Sequence, residues 1–135
     1  MIVRRLKEII GTERDKKAKN GNWVSRRFLL AKDGMGFSFH ETTIFAGTET
    51  RIWYKNHLEA VYCVAGKGEL ERLDTKEIIP ITDGTMYALN GHEPHLLRAS
   101  EDLRLVCVFN PPLIGTEDHN SDGVYATPEE ESAKS

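Results

Sequence analysis

Glu59, Tyr87 and His95 bring a carboxylate, a phenol and an imidazole to two glycine-bounded stretches of the sequence. Glu59 falls between Gly47 and Gly66, and Tyr87 and His95 both follow Gly84. Each has an ordinary reading on its own: a solvated strand carboxylate, a core aromatic whose hydroxyl finds a partner, and a hydrogen-bonded structural histidine. Together they offer metal chemistry. If Tyr87 faces inward beside Glu59, a shared cation would favour its phenolate by depressing a pKa of about 10. Carboxylate, imidazole and phenolate suit iron better than magnesium or calcium, with zinc also allowed. His57 lies two residues from Glu59 and can share its face, as an alternative or supporting ligand. His92 falls in the turn before His95 and is expected to be exposed.

Such residues need a scaffold that turns alternate side chains to one side. Strand-forming runs separated by Gly, Asp and Asn occupy 23–30, 36–45, 50–54, 60–65, 68–72, 78–81, 85–89, 95–99 and 103–110. This rhythm predicts an all-β barrel or sandwich. Alternation places Trp23, Ser25 and Arg27 on one face, and Ser38, His40, Thr42 and Ile44 on another. Ile52 with Tyr54, Glu59 with Val61 and Cys63, Tyr87 with Leu89, and Leu105 with Cys107 and Phe109 group in the same way. A small barrel normally fills its interior with aliphatic side chains. One set of faces here carries Trp, Arg, Thr, Tyr, Glu and Cys instead, which suits a small-molecule pocket. The first twenty residues read as a short strand and a helical turn, and the polar run 12–22 as a loop. Pro111 and Pro112 cannot continue a central strand. Residues 1–125 are expected to form a single domain and 126–135 a disordered acidic tail.

Composition excludes several classes of function. With 135 residues, 39% of them hydrophobic and 29% charged, the chain reads as one soluble domain. A net charge of -3 gives no basic surface for nucleic acid. The charged start, Met1 to Glu8, has no apolar core of a signal peptide, and no run approaches the ~20 apolar residues of a membrane span. A cytoplasmic location is expected, with Cys63 and Cys107 reduced and buried.

The glycine spacing resembles the two motifs of the cupin superfamily, which are small two-sheet β-barrels that hold a metal in the lumen. Gly47, Glu59 and Gly66 fall on the first motif, and Gly84 and His95 on the second. The two histidines of the first motif are absent; Trp53 and Lys55, or Ile52 and Tyr54, stand in their place. The resemblance therefore implies a cupin-type jelly-roll barrel with a changed ligand set.

Four longer stretches narrow the resemblance: residues 34–40, residues 54–61, residues 84–89, and Cys107 to Pro112 together with Gly115, Glu117, Asp118 and His119. In order and spacing they resemble ectoine synthases, over the chain from Met1 to about Tyr125. That resemblance implies a cupin enzyme, acting as a head-to-tail homodimer, that makes the compatible solute ectoine under osmotic stress. The reaction is cyclisation of N-gamma-acetyl-L-2,4-diaminobutyrate with loss of water. It implies Glu59, Tyr87 and His95 as iron ligands, and a substrate pocket lined by Trp23, Arg27, Thr42, Tyr54, Cys107, Phe109 and Glu117. His119 would hold the C-terminal segment over the barrel mouth. Glu117 and Tyr54 are both candidates for the general base, Glu117 being preferred, with Tyr54 also the candidate acid and Arg27 the candidate anchor of the substrate carboxylate. His40 stands where family members carry another polar residue. Two other readings follow from the cupin spacing alone: a metal-dependent dioxygenase or isomerase, and a small-molecule-binding cupin without activity.

Overall fold

The computed structural model describes residues 1–134. All nine expected strands form, most with bounds shifted by one or two residues. They are β2 (Trp23–Leu29), β3 (Ser38–Ile44), β4 (Glu49–Ile52), β5 (Leu58–Ala65), β6 (Lys67–Arg72), β7 (Ile78–Thr82), β8 (Met86–Leu89), β9 (His95–Ala99) and β10 (Leu103–Asn110). A further strand, β1 (Asp15–Lys17), forms inside the polar run expected to be a loop. It pairs with β2, and the opposed residues Asp15 and Arg26 form an ion pair at 3.1 Å. A cross-strand charge pair thus supports a strand without an apolar pattern. The expected N-terminal strand is absent, and two of the apolar positions there, Leu6 and Ile9, enter a single helical turn, α1 (Leu6–Ile9), which buries Ile9.

Two antiparallel sheets face each other, one ordered β1-β2-β3-β10-β5-β8 and the other β4-β9-β6-β7. Alternation decides what lies between them. In β5, Glu59, Val61 and Cys63 are buried while Leu58, Ala60, Tyr62 and Val64 are exposed. In β10, Leu103, Leu105, Cys107 and Phe109 point inward. The opposite sheet contributes Ile52, Leu70, Ile81, Leu97 and Ala99. Gly66 marks a place where the chains pass too closely for any side chain: at φ +110°, a Cβ there would lie 2.0 Å from the Asp102 carbonyl oxygen. Cys63 and Cys107 are both buried and unbridged.

After a cis Asn110–Pro111 peptide the chain leaves the sheet and crosses the open end of the barrel. This strap is tied to β4 where the Trp53 amide donates to the Gly123 carbonyl. The acidic tail differs from expectation. Residues 128–133 form a helix, α2 (Pro128–Ala133), capped by Thr127, whose hydroxyl accepts from the Glu130 amide. The helix docks through Glu131, which is buried and accepts a hydrogen bond from Thr116 at 2.6 Å. The local capping signal and one long-range contact overcome the charge repulsion that suggested disorder. Residue 135 lies outside the described residues.

Candidate active site

The inner face of the six-stranded sheet supplies most of the lining of one narrow cavity, with about 410 Å³ of space between atoms counting what opens to solvent. Strand β2 contributes Trp23 and Ser25, β3 contributes Thr42, β5 contributes Glu59, β8 contributes Tyr87, and β10 contributes Cys107 and Phe109. The strap closes it with His119 and Tyr125. Tyr54, just beyond β4, joins the roof: its hydroxyl shares a 2.9 Å hydrogen bond with His119 Nε2. Tyr125 stacks on His119 at 4.5 Å and lies 5.0 Å from Tyr54, which meets Phe109 edge-on at 5.0 Å. These ring contacts hold the strap down by packing as well as by hydrogen bonding.

Burial sets the protonation states. Glu59 is pushed up to about 8, mainly by desolvation. The hydroxyls of Tyr54 and Tyr87 are likewise driven well above the ordinary phenol range by burial, with the Glu59 charge adding to it. His119 is lowered to about 3 by desolvation and is therefore neutral at physiological pH.

Most of the residues marked by the sequence meet at this cavity. Trp23, Thr42, Tyr54, Glu59, Tyr87, Cys107, Phe109 and His119 all line it. Three do not. His95 is absent from the lining although buried, with Nδ1 donating to the Glu93 carbonyl at 2.9 Å and Nε2 without a partner. Arg27 and Glu117 form a separate buried clamp. The Arg27 guanidinium donates to the carbonyls of Gly115 (3.0 Å) and Glu117 (2.9 Å) and to Ser25 Oγ (3.3 Å). The Glu117 carboxylate accepts from the amides of Ile114 and Gly115, each at 2.8 Å, and lies 3.7 Å from Arg27. The expectations of Glu117 as a free base and Arg27 as a direct carboxylate anchor are therefore corrected. Both groups are occupied in fixing the strap, the carboxylate by amides of its own turn and the guanidinium by carbonyls that reach it only when the strap is down. His119, on the strap, is hydrogen-bonded to Tyr54.

Ser25 and Tyr125 belong to the cavity although neither was singled out. The face shared by Ser25 with Trp23 was a signal for the first. Tyr125 lies beyond the proline break, where periodicity carries no information. His57 is buried with both ring nitrogens unpartnered, and His92 is exposed in its turn, with Nδ1 2.8 Å from the Tyr54 carbonyl.

The donor set fits a metal. Among the described residues no three His, Cys, Asp or Glu side chains converge as a metal site, so a tyrosine would have to complete the set. Tyr87 shares the cavity with Glu59, a buried carboxylate with no cation beside it. With its Nδ1–H held by the Glu93 carbonyl, His95 presents a bare lone pair at Nε2, the form in which imidazole binds metals.

The sequence and the fold both have known relatives. The sequence model of the ectoine synthase family matches residues 1–129. The L-ectoine synthase of Desulfatibacillum aliphaticivorans is 66% identical over 125 residues, covering 93% of this chain and 96% of that protein. That of Desulfosudis oleivorans is 60% identical over 131 residues, covering 96% of this chain and 100% of that protein. The crystal structure of ectoine synthase from P. lautus superposes with a TM-score of 0.81 at 60% identity, covering 85% of this chain and 81% of that one. A predicted oxalate decarboxylase from Thermotoga maritima shares the barrel fold alone, at TM-score 0.68 and 18% identity, over 82% of this chain and 99% of that one.

Proposed function

The chain belongs to the ectoine synthase family of lyases, and on that premise we propose that its cavity cyclises N-gamma-acetyl-L-2,4-diaminobutyrate to ectoine with loss of water. The observation that carries this reading is an aromatic-walled cavity in which Glu59, a buried carboxyl group with no cation beside it, shares walls with Tyr54 and Tyr87. The α-amine of the substrate attacks the acetamide carbonyl carbon, forming a C–N bond. The C–O bond then breaks and the oxygen leaves as water. Both protons of that water come from nitrogen, and none is released. A hydrogen-bonded pair that takes a proton from nitrogen and returns one to oxygen is sufficient.

Tyr54 and neutral His119 form such a pair at the cavity wall. Tyr54, kept protonated by burial, gives its proton to the departing oxygen and regains one through His119. Trp23 and Phe109 wall the bent substrate so that its ends meet, a large share of the rate in any ring closure. The strap keeps bulk water away from a dehydration. We further propose ferrous iron, with zinc as the alternative, held by Glu59, Tyr87 and His95. When bound, it supplies Lewis-acid polarisation of the carbonyl.

The same reading makes the protein a cytoplasmic enzyme of osmotic-stress adaptation and a head-to-tail homodimer. An exposed apolar stripe on the outer face of β5 and β8, formed by Leu58, Tyr62, Val64 and Met86, supports self-association. No feature of the cavity favours an oxygenase, isomerase or sensor. Incubating the purified protein with the acetylated diamino acid and following the cyclic product by NMR tests the proposal. A cyclic amidine is expected, and its absence with ferrous ion and zinc each supplied would overturn it.

A further inference from the structure

A buried hydrogen-bond chain runs from the strap to Ser25. The Leu113 amide donates to Ser38 Oγ at 3.0 Å, Ser38 Oγ lies 2.9 Å from His40 Nε2, and His40 Nδ1 lies 3.2 Å from Ser25 Oγ. Ser25 Oγ also accepts from Arg27 Nε at 3.3 Å and lines the cavity. His40 is buried, and that desolvation, aided by the nearby Arg27 guanidinium, keeps it neutral, so it carries a single N–H.

Donor counting fixes where that proton sits. If Nε2 carried it, His40 would donate to Ser38, and the Ser38 hydroxyl proton would be left without an acceptor in a fully buried position. If Nδ1 carries it, Ser38 donates to Nε2 and His40 donates to Ser25. Ser25 Oγ then has both lone pairs filled, by His40 and by Arg27, and its own proton is directed into the cavity. Trp23, two residues earlier on the same face of β2, lines the same corner with an indole N–H that is buried and unpartnered. Ser25 and Trp23 thus offer two donors on one face of β2, with a guanidinium one hydrogen bond behind Ser25. A carboxylate accepts only, so it is the group such a corner takes. Strand β2 stands three places from β5 in the sheet order, so Ser25 and Glu59 enter the cavity from different strands.

We propose that His40 is a positioning residue which, through its Nδ1–H tautomer, holds the Ser25 hydroxyl as a donor to the substrate carboxylate beside the Trp23 indole. The proposal rests on the reading of the cavity as a site for an acetylated diamino acid. It accounts for how the carboxylate is held although Arg27 is occupied by the strap.

Two measurements test it. In the first, nitrogen-15 NMR of histidine-labelled protein reads the tautomer directly, with His40→Asn identifying the signal. An Nδ1–H pattern is expected, and an Nε2–H pattern overturns the proposal whatever the enzyme does. In the second, kcat/KM is compared for the substrate and for N-acetyl-1,3-diaminopropane, which lacks the carboxylate. Ser25→Ala and His40→Leu should each cut the preference for the carboxylate about tenfold or more, mostly through KM. His40→Asn, which keeps a donor to Ser25, should restore it, and the double variant should lose no more than Ser25→Ala alone. Thermal midpoints show that each variant is folded. An unchanged preference in Ser25→Ala, or additive losses, overturns the proposal. Absence of turnover by the unaltered protein would instead sink the functional reading, with the tautomer still decisive for His40.

Discussion

The barrel buries two polar clusters and treats them in opposite ways. At the strap, Arg27 and Glu117 are fully buried and bonded: the guanidinium has three acceptors and both carboxylate oxygens have amide donors. Along the cavity, Glu59 has no cation beside it and Trp23 has an unused N–H, and His95, outside the lining, has an open Nε2. Burying polar groups without partners costs stability, and the saturated cluster shows that this fold can supply partners when structure is the purpose. The unsatisfied cluster is therefore the one kept for a ligand.

That contrast has a crossed signature. Glu59→Ala should lower activity by about a thousandfold or more and abolish stoichiometric metal, with the thermal midpoint of the metal-free protein unchanged or raised. A folded Glu59→Ala protein that keeps both metal and turnover would show that the open cluster is not the site. Glu117→Ala should do the reverse, costing about 3–5 kcal/mol of stability in urea denaturation because it strands a buried guanidinium. Little change there would mean that the clamp holds nothing. The smallest effect concerns the roof. His119 has a folded pKa of about 3, below its ordinary 6.5, so the unfolded chain binds the extra proton between those values. Its contribution is complete above pH 6.5 and is lost as pH falls toward 3. His119→Gln should flatten the slope of stability against pH in that window by about one proton. An unaltered slope would place the titrating group elsewhere.

Much of the architecture was legible because it is local. Alternation in β5 and β10 put Glu59, Cys107 and Phe109 on inner faces, and those faces form the cavity. Gly66 was visible as a motif position, and its close approach to Asp102 gives the reason. Pairings across the chain were not legible. Nothing near Arg27 announces that its partners lie at Gly115 and Glu117, and nothing near His40 announces Ser25. The tail misled in a different way. Three consecutive glutamates, Glu129 to Glu131, outweigh the one-residue signal of Thr127 in composition, although the cap decides the local structure.

Synthesis proceeds from the N-terminus, so all ten strands have emerged before His119 and Tyr125 exist to roof them. The nascent barrel therefore passes through a stage in which its lumen is open and Trp23, Tyr54 and Phe109 face water. A chain stalled at β10 would be a barrel with walls but no lid. It would be prone to capture by other exposed apolar surfaces, and any chemistry it attempted would be flooded by solvent. The strap thus makes turnover a report on translation having passed every barrel strand and reached Tyr125.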